Sequence, residues 1–439
     1  MRIGAATIDI TPPVGTPLDG YGGRIDVSLG VHDPLFARVL YLDDGVTQVA
    51  LAVCDLIGIG SGLAERAKEL IAERPGIPAS NVMLSATHTH AGPAGVRGRG
   101  EASLVEQLAR KVAGAVRVAE RNAVEGVLKH GTAHLSSFAQ NRRHPDWPID
   151  TQLDVVAADT PDGRNIATAV RYACHATVLN FDNLEITADY PGELCRTVES
   201  VIGGGSQALF FNGACANINP AWTRQDFTNV RRIGSIAGAK AAALSQELQP
   251  LGHSHQGDNI CWDEHTAKAV EGTLVHGPLR VATRSFAAPY RRGPDDSVIA
   301  AQLDELEREF RASSPGLSPD ARREAMARLT AARGERLSLL RVRGKGEARQ
   351  QTVQAFALGD NLHLVALPGE VFYETGEDIR RRSGLANLLV VAYANDYPGY
   401  FCRPEAYEQG GYEAGVTPFA PEADGLLADA AVDALRAVS

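Results

Sequence analysis

A short apolar run that ends in two histidines and a Gly-Pro stop is the feature of this chain that most restricts its fold. Val82, Met83 and Leu84 read as a short buried strand, and Gly92-Pro93 closes the segment that follows His88-Thr89-His90. Residues i and i+2 of an extended backbone point to one face. Two imidazoles are therefore expected to project together from the carboxyl end of a strand, where α/β proteins place their sites. Such a pair suits two zinc ligands, or one zinc ligand with one acid–base partner.

Other strand exits carry side chains of the same kind. His175 ends the apolar run Ala169–His175, which taken alone describes a hydrogen-bonded histidine at a sheet edge. Leu367-Pro368-Gly369-Glu370 ends another run and presents a carboxylate just before a helix, a position the helix dipole favours in any case. The segment Asn395–Tyr400 leaves a third run with aromatic residues where a plain loop prefers small polar ones.

Between these exits the patterning alternates. Leu35–Asp43 and Val46–Asp55 read as strands joined at Asp43-Asp44-Gly45, and further strands are expected near 127–136, 152–158, 166–174 and 208–211. Leu274–Phe286, 351–358, 362–367 and Leu388–Ala394 complete the set. Helical periodicity marks Leu63–Glu73, Leu104–Arg121, 191–202, the Ala-rich Arg231–Gln246, a helix after Glu370 and a last helix beyond an irregular segment at 395–424. Ile299–Phe310 and Pro319–Leu340 are charged and rich in Ala, Leu, Glu and Arg, and they predict a helical hairpin at 297–341 packed outside the sheets. The fold class expected is α/β, with mixed sheets flanked by helices, as a single domain over residues 1–439 carrying that insertion.

Composition excludes several functions. Of the 439 residues, 44% are hydrophobic and 22% charged, as in ordinary globular proteins, and a net charge of −10 without a basic run argues against nucleic-acid binding. No apolar stretch is long enough for a membrane helix, and the first residues hold no signal-peptide core, so a cytoplasmic enzyme acting on a small molecule is expected. The six cysteines are scattered, without a C-x-x-C pair, and fit buried thiols in a reducing compartment. Oligomeric state leaves no mark on the sequence.

In order along the chain, Asp9–Pro13 with Gly20-Tyr21-Gly22, Thr87–Pro93, Pro368-Gly369-Glu370, Asn395-x-Tyr397-x-x-Tyr400 and Tyr407 with Tyr412-Glu413-Ala414 resemble the motifs of the neutral, non-lysosomal ceramidases. That resemblance implies a zinc amidohydrolase whose metal is held by His88, His175, Glu370 and Tyr400. It implies His90 as the acid–base residue, Tyr412 as oxyanion stabiliser and Arg142 as its helper, with Arg143 the alternative. A phenolate ligand requires the cation to pull down a pKa of about 10.

Gly213–Pro220 replaces the serine-bearing Gly-Asp-Val-Ser-Pro-Asn motif of those enzymes, and the chain stops soon after the tyrosine segment, without room for their immunoglobulin-like domain. From these departures the expected substrate is a small polar amide rather than ceramide. An ester or lactone hydrolase, a true ceramidase and a non-catalytic metal-bearing binding protein are the other readings. Cys215 is read as packing rather than nucleophilic, His32, Asp33 and Asp55 as supports of the ligands or of the fold, and His253 and His255 as solvated.

Overall fold

Three mixed β-sheets share one plan in the computed structural model: antiparallel strands, with one parallel pair at an edge. The structure describes residues 1–22, 24, 26–221, 224–248, 274–293, 296–313, 316 and 318–439, so His253 and His255 lie outside the described residues. In the first sheet the order is Val82–Ala86, Gln48–Cys54, Phe36–Asp43, Arg2–Asp9 and Val124–Glu125, with the first two strands parallel. The second runs Gln207–Asn212, Asn165–Tyr172, Gln152–Asp159, Val127–His134 and Leu274–Val275, again with a parallel first pair. The third runs Arg280–Pro289, Ala348–Ala357, His363–Ala366 and Leu388–Val391, its last two strands parallel.

Alternation along the strands assigns each sheet two buried faces. Val49, Leu51 and Val53 face a core shared with Leu209 and Phe211 of the second sheet and Leu364 and Val391 of the third. Their neighbours Ala50, Ala52 and Cys54 face helices Ser61–Glu73 and Ala102–Arg121. Helices Asp189–Ile202 and Phe227–Glu247 cover the second sheet. Helices Tyr373–Ser383 and Glu422–Arg436 cover the outer face of the third. The expected mixed α/β class is the observed one.

The expected insertion is the helix pair Asp296–Ser313 and Pro319–Val342. It grows from the end of a strand pair, because Pro289 and Ala348, on either side of it, are register partners. No described helix is long and apolar enough to cross a membrane.

Two expectations need correction. Leu274–Phe286 is not one strand: Leu274–Val275 joins the second sheet and Arg280–Pro289 the third. The chain turns between them at Gly277, whose φ of +99° suits glycine and would strain a side chain. The segment 395–424 is also more ordered than irregular. It holds strand Tyr400–Phe401 and helices Pro404–Gln409 and Tyr412–Val416.

Candidate metal centre and active site

The parallel edge pairs matter because their carboxyl ends converge. Strand Val82–Ala86 leads to His88, Asn165–Tyr172 to His175, His363–Ala366 to Glu370 and Leu388–Val391 to the tyrosine segment. Asn212, wholly buried at the end of its own strand, ties three of these exits together. Its side-chain amide donates to the carbonyls of Thr87 and Cys174, each at 3.1 Å, and its backbone carbonyl accepts from Ala392 at 3.0 Å. The crevice at the carboxyl ends of the strands is where open α/β sheets bind ligands.

His88 reaches this crevice by a route other than the one expected. The strand stops at Ala86, and His88 adopts φ +67°, in the left-handed region, rather than extended backbone. The two imidazoles still meet, His88 Nε2 lying 3.2 Å from His90 Nε2. A φ of this kind on a histidine is strained and persists only where its surroundings hold it. Here the His88 amide donates to Leu56 O at 3.0 Å, and the ring's Nδ1 donates to Ile57 O at 2.6 Å.

His175 is anchored in the same manner. Its Nδ1 lies 2.8 Å from Cys215 O and 3.1 Å from Ile218 O. The Gly213–Pro220 segment therefore contributes carbonyls, not a hydroxyl, to this site. Donation from Nδ1 leaves each Nε2 with its lone pair aimed inward, the usual preparation of a metal-ligating histidine. Glu370 Oε2 lies 3.3 Å from His175 Nε2 and 3.6 Å from His88 Nε2. Its other oxygen accepts a 2.5 Å bond from the Tyr397 hydroxyl.

This donor set fits a metal ion. Among the described residues, His175 Nε2 and Glu370 Oε2 are buried without a hydrogen-bond partner, a costly state that a cation would relieve. The ring nitrogens of His88, His90 and His175 lie within 4.8 Å of one another. Burial holds the His88 imidazole down at about 3, Glu370 pulling the other way, so the ring is neutral and ready to coordinate. Burial pushes the Glu370 carboxyl up, but His88, His175 and Tyr397 overcome it and hold the group at about 2. Burial, then His88 and His175, press His90 well below its ordinary value.

Tyr400 is the register partner of Glu370, which places it beside the cluster. Burial and then Glu370 raise its phenol well above the ordinary value, so ligation as phenolate would need a cation's field. Arg142 donates to the Tyr400 hydroxyl at 3.2 Å and to Glu413 at 2.6 Å. Arg143 points instead to Glu413, Gln409 and Gly410, bracing the loop before Tyr412. Tyr412 is half exposed, its ring edge-on to Tyr400 at 6.0 Å.

Three further sequence readings are placed by the structure. Cys215 is fully buried, and burial pushes its thiol up to about 12, which suits packing and not nucleophilic attack. Asp33 accepts from Thr187, from the Ala188 amide and from Arg196, and Asp55 accepts from the Phe36 amide, so both brace loops of the fold. His32 stacks on Phe227 with ring centres 3.7 Å apart. Among the described residues, these bonds and contacts of His32, Asp33 and Asp55 do not involve His88, His90 or His175.

A cavity of about 1120 Å³ opens above the histidines. Gly20 belongs to its wall because a Cβ there would lie 2.6 Å from the His90 ring. Residue-by-residue reading missed Asn212, Glu413, the Tyr397 bond to Glu370 and the Arg97–Asp19 ion pair in this wall. Tyr397 and Glu413 lie inside recognised motifs, so their positions carried a signal; Arg97, in a stretch of glycines and arginines, carried none.

Residues 1–221 match the family model described as neutral/alkaline non-lysosomal ceramidase, N-terminal. The chain is 24% identical to neutral ceramidase of Pseudomonas aeruginosa over 96% of its own length and 69% of that protein. It is 24% identical to neutral ceramidase of Mycobacterium tuberculosis over 95% of its length and 74% of that protein. The crystal structure of the Pseudomonas aeruginosa neutral ceramidase superposes with a TM-score of 0.73 at 21% identity, covering all of this chain and 75% of that one.

Proposed function

This chain belongs to the neutral/alkaline non-lysosomal ceramidase family, and on that premise we propose that it is a zinc-dependent hydrolase of N-acyl amides. The observation that carries the reading is the meeting of three imidazoles and one carboxylate, with unpartnered buried atoms on His175 and Glu370, at the floor of a large cavity. His88, His175, Glu370 and Tyr400 are the ligands in this reading. Nitrogen and oxygen donors with neutral imidazoles suit zinc. The chemistry that a zinc ion held there supplies is Lewis acidity toward the amide carbonyl and the attacking water.

The protein's own residues do the rest. His90 differs from His88 and His175 because no backbone carbonyl among the described residues holds its Nδ1. In this reading His90, which lines the cavity, accepts a proton from the attacking water and delivers it to the leaving nitrogen. Tyr397 fixes the Glu370 carboxylate through its 2.5 Å bond. Tyr412 donates to the developing oxyanion from the cavity rim, and Arg142 keeps Tyr400 in place beside it.

The expectation of a small polar amide gives way to an N-acyl amide of ceramide type. The family, relatives that are themselves neutral ceramidases, and a cavity large enough for an acyl chain support that choice. The test is hydrolysis of a short-chain ceramide and of soluble amides by protein of measured metal content. We expect about one zinc per chain and turnover of the N-acyl amide that stops on chelation. Activity that survives complete metal removal, or no cleavage of any amide, would overturn the proposal.

A further inference from the structure

Tyr412 stands on a helix, Tyr412–Val416, of only five residues. So short a helix has no stability of its own in water, where about 12 residues or more are needed. Its N-cap is Gly411, so no side chain caps it. At its other end the Ala414 carbonyl faces an intrahelical vacancy, because the residue four places on is Pro418, which has no amide proton to give. The Tyr412 ring meets Tyr400 edge-on and lies 5.8 Å from the Arg142 guanidinium. The rest of its placement comes from the backbone that carries it.

That backbone is held from two sides. From the site, Arg142 and Arg143 donate to Glu413, and the Thr417 hydroxyl donates to Tyr400 O at 2.7 Å. From the inserted helix pair, which also lends Leu337 to the cavity wall, Arg291 donates to the buried Ala414 carbonyl at 2.7 Å and so fills the vacancy that Pro418 leaves. The Arg291 guanidinium is steadied by Glu335 at 2.7 Å, and its own amide donates to Pro418 O at 2.8 Å. Ser338, buried on helix Pro319–Val342, donates to the Thr417 carbonyl. A Cβ on Gly334 would lie 2.6 Å from Val416, so glycine there lets the two helices sit close.

We propose that Arg291 and Ser338 are positioning residues for Tyr412: they fix the backbone beneath it from the side of the insertion, and so set where its hydroxyl meets the developing oxyanion. Neither residue lines the cavity, so each acts through Tyr412 and not on the substrate. The inserted helix pair thereby serves the reaction as a brace. This inference rests on the amide-hydrolase reading above, and the experiment separates the two.

The test measures kcat and KM on a short-chain ceramide for zinc-loaded Arg291→Met, Arg291→Lys and Ser338→Ala, each alone and combined with Tyr412→Phe. Tyr412→Phe by itself should lower kcat by about a hundredfold, the scale of one lost oxyanion donor. Arg291→Met and Ser338→Ala should each lower kcat by about tenfold and leave KM within about twofold, since a misplaced group costs rate and not binding. Added to Tyr412→Phe, either should cost less than about twofold more, because no hydroxyl is left to place. Arg291→Lys, which keeps a donor for Ala414 O, should recover most of the loss. Hydrogen exchange reads the brace without turnover. The amides of Gly415 and Thr417, bonded to Gly411 O and Glu413 O, should exchange faster in Arg291→Met and Ser338→Ala, and those of Val82–Ala86 should not change. Full kcat in Arg291→Met and Ser338→Ala, equal losses with and without the Tyr412 hydroxyl, or full kcat in Tyr412→Phe would each overturn the proposal and leave metal-dependent cleavage standing. Cleavage of no amide by the unaltered protein defeats the hydrolase reading instead. Exchange then decides: faster exchange at Gly415 and Thr417 supports the brace, and unchanged exchange overturns it.

Discussion

His88, His90 and His175 share a cluster but differ in what holds the far side of each ring. Ile57 O takes the Nδ1 proton of His88, and Cys215 O with Ile218 O faces Nδ1 of His175, while Nδ1 of His90 has no partner among the described residues. The role proposed for each rests on that difference. His90→Ala should keep its zinc and lose turnover on the order of a hundredfold or more, the usual cost of a missing general acid–base group. Elemental analysis beside steady-state kinetics checks this; a variant that loses its metal makes His90 a ligand. Tyr397→Phe removes the 2.5 Å bond to Glu370 without changing the ring. Outer partners of this kind are worth roughly ten- to a hundredfold in metal affinity. Competition with a chelator should show a Kd raised by about that factor, and unchanged affinity would remove Tyr397 from the support of the site.

Between elements, buried ion pairs do what sequence-local contacts cannot. Asp150 precedes strand Gln152–Asp159 and binds Arg171 of the neighbouring strand and Arg380 of helix Tyr373–Ser383, so it clamps the second sheet to a helix of the third. Burial pushes its carboxyl up, but Arg171 and Arg380 win and hold it at about 2, from an ordinary 3.8. A depressed folded pKa stabilises above the unfolded value, and that contribution is lost as pH falls from about 4 through about 2. Asp150→Asn should therefore be less stable than the unaltered protein by about 2 kcal/mol at pH 6. The gap should narrow below pH 4. Urea unfolding of both proteins at pH 6 and pH 3 measures it, and a gap independent of pH would place the stabilisation elsewhere.

At the scale of the whole molecule, the helix pair is an addition to a strand pair that closes without it. Tyr290 N donates to Glu347 O at 2.9 Å, and the ladder below runs unbroken from Pro289 with Ala348. Replacing residues 291–346 by an Asn-Gly turn should leave a folded protein, because that dipeptide matches a two-residue hairpin. Zinc content should stay at one per chain, since no ligand candidate lies in the replaced segment. KM should rise by about tenfold as the wall bearing Leu337 is lost. Circular dichroism, metal analysis and kinetics test this together; an unchanged KM would deny the helices any part in the cavity.

Local chemistry made much of this protein legible in its sequence. The strands and most helices follow from apolar periodicity and turn residues, because both act within a few positions of the chain. His88, His90, His175 and Glu370 stood out because they leave apolar runs, and the ordered motifs pointed to the family. Only the tertiary structure decided that these exits meet. Asn212 reaches a carbonyl 125 residues away, and Arg142 reaches Tyr400 across 258. The left-handed turn at His88, the split of 274–286 between two sheets and the order within 395–424 depend on such distant partners too. Local pattern fixes which face of a strand is buried, whereas convergence of three sheets on one crevice is a property of long-range packing that no short window of sequence contains.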